Sequence, residues 1–70
     1  MTNKERMTFM ALEAKLRKTN HRIAIHPANK LGGGYWEFYS VDENGDEYGR
    51  ENFFSITQLT ERVNEYLDIQ

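Results

Sequence analysis

The sequence predicts an α+β domain. It has two layers in the order α-β-β-β-α, a three-stranded antiparallel sheet with both helices packed on one face. Three observations predict it. Apolar residues recur at helical spacing at both ends of the chain and alternate at strand spacing in the middle, and an Asn-Gly pair separates two strand-like runs. With 70 residues, the chain is read as a single domain, 1–70. Its core is thin, since a chain this size buries only about 60% of its unfolded surface.

The first helix starts at Thr2. Thr2 and Glu5 form a T-x-x-E capping box, in which hydroxyl and carboxylate satisfy amides the helix itself leaves unpaired. It runs to about Thr19, with Asn20 as the stop. At 100° per residue its apolar residues fall on two nearly opposite stripes, Phe9/Leu12/Leu16 and Met7/Met10/Ala11/Ala14. A peripheral helix buries one stripe, so the second needs a reason.

Arg22-Ile23-Ala24-Ile25-His26 alternates and is β-branched, a short strand stopped by Pro27. Pro27 to Gly34 reads as a flexible loop. Tyr35 to Val41 is the strongest strand signal, and Asn44-Gly45 then predicts a two-residue type I′ turn into a third strand, Glu47 to Phe53. The last helix opens on Ser55 and Gln58, a second capping box, with Phe54 and Leu59 spaced for a hydrophobic staple. Ile56, Leu59, Val63, Tyr66 and Leu67 form its apolar face.

The predicted turn fixes a register: Glu43 with Asp46, Val41 with Tyr48, Tyr39 with Arg50, Glu37 with Asn52, Trp36 with Phe53. Trp36, Phe38, Ser40, Gly49 and Phe53 then face the core, with Glu51 the one misfit. Tyr35, Glu37, Tyr39, Val41, Tyr48, Arg50 and Asn52 form the open face. From it Tyr35, Tyr39, Tyr48 and Arg50 are candidates for partner binding, because Tyr and Arg dominate interface hot spots. Cross-strand stabilisation explains the same residues without a partner.

The chemistry of catalysis is mostly missing. Zero Cys excludes disulfides, thiolate metal sites and a Cys nucleophile. Asp42, Asn44 and Asp46 alternate as in a calcium loop, but Glu47 and Phe53 stand where an EF-hand needs Gly and Glu. Gly32-Gly33-Gly34 lacks the Lys-Ser/Thr of a phosphate loop. His21 and His26, five apart, cannot share a metal on a strand. The expectation is no enzyme, no cofactor and no metal. Without Cys or a long apolar run, the expected place is the cytoplasm, with no membrane partner.

The net charge of −2 hides a division. Residues 1–30 carry seven Lys and Arg against two acids, a balance of +5; residues 31–70 carry two against nine, a balance of −7. Lys15, Arg17, Lys18 and Arg22 form a basic patch at the first helix–strand junction, joined by His21 and extended towards His26 and Lys30. Neutralisation within the fold, phosphate binding and a complementary protein surface are the three uses open to it.

Helix–three strands–helix is similar in order to the double-stranded-RNA-binding domain, a family with a lysine cluster at the start of its last helix. Ser55-Ile56-Thr57-Gln58-Leu59-Thr60-Glu61 holds no base. A three-stranded sheet followed by a helix also resembles the arm-binding domain of some phage-type integrases, which reads DNA with Lys- and Arg-rich strands. The matching hairpin here, Asp42 to Glu51, is mostly acidic. Both likenesses concern topology alone.

The reading that results is a small non-catalytic module that binds a partner protein or a second copy of itself. Its size suits a phage- or mobile-element-type regulator or inhibitor. The spare stripe Met7/Met10/Ala11/Ala14 motivates this reading, since methionines make adaptable interfaces. The alternative is a nucleic-acid-binding module that uses Lys15, Arg17, Lys18 and Arg22 with the tyrosine face as a stacking platform.

Overall fold

A capping residue starts each helix. Thr2 Oγ1 accepts the Glu5 N–H at 3.1 Å and Glu5 Oε1 accepts the Thr2 N–H at 2.8 Å, launching α1 (Asn3–Thr19). Ser55 Oγ accepts the Gln58 N–H at 3.2 Å, and Gln58 Oε1 reaches back to the Phe54 N–H at 2.9 Å, launching α2 (Ile56–Ile69). Between them lie β1 (Ile23–His26), β2 (Trp36–Val41) and β3 (Glu47–Phe53). This computed structural model describes residues 2–19, 22–28 and 34–69. The predicted helix stop at Asn20, the His21 and Lys30 ends of the basic patch, and most of the expected flexible loop (29–33) lie outside the described residues.

The sheet is an antiparallel meander in the order β1-β2-β3. Ile23 pairs with Ser40 and Ile25 with Phe38, so one face carries Ile25, Trp36 and Phe38. Both helices cover that face. Phe9 of α1 lies against Trp36, ring centroids 5.9 Å apart, and Tyr66 of α2 meets Phe38 edge-on at 6.0 Å. Phe9, Leu12, Leu16, Ile25, Trp36, Phe38, Leu59 and Val63 form the buried core, with Ile56, Phe53, Tyr66 and Leu67 packed on its margin. Among the described residues no polar or charged side chain is fully buried. No helix among them is long and apolar enough to cross a membrane.

The hairpin departs from the predicted turn. No non-glycine residue has positive φ among the described residues, so Asn44 cannot serve a type I′ turn. Instead Asp42 and Asp46 close a three-residue loop. The Asp42 N–H donates to the Asp46 carbonyl at 2.9 Å, and the Gly45 N–H donates to the Asp42 carbonyl at 3.0 Å. Gly45 takes the left-handed position at φ 86°, the type I turn plus glycine that is the next commonest hairpin solution. The Asp42 side chain drives the choice: its Oδ1 accepts N–H groups from both Asn44 and Asp46 at 2.9 Å.

One extra loop residue slips the register next to the turn. Val41 pairs with Glu47 and Ser40 with Tyr48, not Val41 with Tyr48. A bulge then restores the predicted pairing, because Gly49 and Arg50 together oppose Tyr39 between the pairs Phe38–Glu51 and Ser40–Tyr48. Gly49 sits at φ 65°, where only glycine is unstrained. Beyond the bulge, Glu37–Asn52 and Trp36–Phe53 stand as expected. Two local irregularities cancel over the length of the strand.

Candidate functional site

The four residues expected to share the open sheet face do not form one site. Tyr48 is paired with Ser40, on the side of the sheet that carries Trp36 and Phe38, and so leaves the set. Glu47 takes its place beside Tyr39, because the slipped register turns it to the open side. Arg50 is fully engaged there. Its Nη1 donates to both carboxylate oxygens of Glu37 at 3.0 Å, its Nη2 binds Glu47, and its guanidinium lies 4.8 Å from the centroid of the Tyr39 ring. His26 Nδ1 stands 3.9 Å from Glu37 and 3.0 Å from the Pro27 carbonyl oxygen. Burial, and then the nearby Glu47 carboxylate, push the Tyr39 hydroxyl above its usual pKa. The hydrogen bonds and charge of Glu37 hold the Arg50 guanidinium still more firmly protonated.

Arg50, Glu37, Glu47 and Tyr39 satisfy one another across β2 and β3. The open face is therefore built as a cross-strand brace. At its far end Tyr35 meets Phe54 edge-on at 5.1 Å, and Phe54 stays 78% exposed. Phe54, the outer member of the predicted staple, thus turns its ring to Tyr35, and Leu59 is sealed in the core. Glu51, the misfit on the core face, is explained by α2: Arg62 binds it through Nε and Nη2 at 3.0 and 3.1 Å while covering the Phe38 ring at 4.4 Å.

The α1 stripe is different. Phe9, Leu12 and Leu16 are buried, whereas Met7 is 72% and Met10 59% exposed, with Ala11 and Ala14 exposed beside them. On a helical projection these four span an arc of about 100°. Lys4 and Lys15 border the arc on one side, Arg6 and Arg17 on the other, and Lys18 closes its C-terminal end. All five are exposed, and among the described residues none of them enters an ion pair. The two arginines of the acidic half, Arg50 and Arg62, are both paired. Neutralisation within the fold thus serves the sheet and α2, and passes over α1.

Helix stability explains only part of this charge. Arg17 and Lys18 lie in the last turn, where cations complement the helix dipole. Lys4 and Arg6 lie in and just after the first turn, where they oppose it. These two bases lie outside the patch expected at the helix–strand junction; their place on the helical projection is the signal that joins them to the stripe. Arg22, the fourth member of that patch, immediately precedes β1, where its carbonyl accepts the Val41 N–H at 2.7 Å.

Where the helices begin, Lys4, Glu5, Thr8, Ile56, Thr57, Thr60 and Glu61 line an open groove of about 380 Å³. Its Thr8 and Thr60 hydroxyls donate to their own helices, to the Lys4 and Ile56 carbonyls at 3.0 and 2.7 Å. Comparison of the chain with family models, with curated proteins and with solved structures returns no match in any of the three.

Proposed function

We propose that this protein is a non-catalytic interaction module that binds a partner protein through the outward face of α1. One observation carries the reading: Met7 and Met10 stand exposed between bases that have no ion-pair partner among the described residues. Exposed apolar side chains grouped within a charged rim are the pattern of a contact surface, and methionine adapts its shape to what it meets.

Two other occupants fit less well. Self-association through this face sets the bases of one α1 against those of the other, and like charges across an interface cost affinity. Nucleic acid is disfavoured by position. α1 ends within four residues of β1, whose first residue pairs with Ser40, so Lys15, Arg17 and Lys18 lie at the hairpin end of the sheet. That end carries Asp42, Glu43, Asp46 and Glu47. α2 runs back towards it and brings Glu65 and Asp68. A phosphate backbone offers nothing apolar to the exposed Met7 and Met10, and one that extends past the bases meets these acids as well.

The test is site-specific photo-crosslinking in the native host. A photoreactive residue at Ala11 should capture a defined protein, and one at Asn52 on the sheet's open face should not. Equal capture from both positions, or capture from Asn52 alone, would overturn the assignment.

A further inference from the structure

We infer that the partner presents an acidic amphipathic helix, laid along α1 over the two turns from Met7 to Ala14. The inference rests on the reading of α1 as the docking face and adds the chemistry of what docks there. Met7, Met10, Ala11 and Ala14 follow the i, i+3, i+4, i+7 spacing, so they make a straight apolar seam along the helix. A seam of that form is filled most closely by another helix, whose own ridge runs parallel to it.

The relief and the charge narrow the choice further. Met7 and Met10 stand proud at 72% and 59% exposure, while Ala11 and Ala14 leave the next turn low. A large aliphatic or aromatic side chain of the partner fills the low turn, and smaller ones lie over the methionines. Lys4, Lys15, Arg6, Arg17 and Lys18 flank the seam on both sides and at its end, while the two acids of the helix, Glu5 and Glu13, project from its other half. Acidic residues on both flanks of the partner's apolar stripe meet these bases, steering encounter and fixing which face docks. An anionic membrane surface rewards a deep payload of Trp, Phe or Leu, and two methionines supply little.

The experiment is an NMR titration of the isotope-labelled full chain with three probes. The first is a synthetic helical peptide whose leucine stripe is flanked by glutamates. The second is the same peptide with glutamine for every glutamate, and the third is a short DNA duplex. The acidic peptide should move the amide signals of residues 4–18 and leave those of Glu37 and Asn52 in place. It should bind about ten-fold more tightly than the glutamine peptide. Lys15→Gln with Lys18→Gln should narrow that gap several-fold, as should raising salt from about 0.05 to 0.5 M. Equal binding of the two peptides would overturn the inference. So would α1 signals unmoved by the acidic peptide at about 1 mM; if Ala11 still crosslinks a protein, the docking face survives and only its occupant is wrong. Duplex DNA that moves the α1 signals at lower concentration than the peptide would replace protein by nucleic acid.

Discussion

Gly49 shows how one residue decides which side chains share a face. At φ 65° it holds the bulge that returns β3 to register after the three-residue turn. A Cβ built there meets nothing within 4 Å, so substitution costs backbone strain alone. Gly49→Ala should lower stability by about 1 kcal/mol in urea denaturation. Gly49→Asn should lose less, because Asn tolerates the left-handed region. Equal losses would place the cost in packing instead. Tyr39 carries the pH dependence of the brace. Its hydroxyl titrates above the usual value of 10.0 in the folded chain, because burial and Glu47 disfavour the phenolate. The unfolded chain therefore loses that proton first. The stabilisation is whole below about pH 10 and fades as pH rises through the higher folded value. Tyr39→Phe should flatten the alkaline fall of the urea midpoint; an unchanged slope would remove Tyr39 from that account.

The helices were legible in the sequence because short-range rules fix them. The Thr2–Glu5 capping box forms, Ser55 caps α2 while the Gln58 side chain reaches the Phe54 N–H in place of that of Ser55, and the buried stripe of α1 and the apolar face of α2 are those the spacing marks. Ser55→Ala should lower stability by about 1 kcal/mol, since it leaves the Gln58 N–H without its cap at the turn that delivers the fully buried Leu59. Thr2→Ala should cost less, because its first turn carries only exposed or half-buried side chains. The reverse order in thermal unfolding would contradict this. The strands were legible as elements and misread in detail. Asn44-Gly45 fits a type I′ turn by composition, but Asp42 outcompetes that geometry with two backbone amides. No spacing rule reveals that competition, so Tyr48 was assigned to the wrong face. The same slip hid Glu47 as a partner of Arg50. The exposed α1 stripe was visible in the periodicity; that its bases enter no ion pair among the described residues depends on where the acids of other elements land.

Across the whole molecule, the charge division of +5 and −7 resolves into different uses. Arg50 and Arg62 brace the sheet and α2, while the α1 bases surround an apolar seam outside the core. On the reading proposed above, α1 has one face for folding and one for binding. The double variant Met7→Gln/Met10→Gln tests it most directly, because glutamine keeps helix propensity and removes only the apolar surface. The urea midpoint should stay within about 0.5 kcal/mol of wild type, as for exposed positions generally. Crosslinking of the partner from Ala11 should be lost. Marked destabilisation would show that the methionines serve the core, and undiminished crosslinking in a stable variant would show that the partner docks elsewhere.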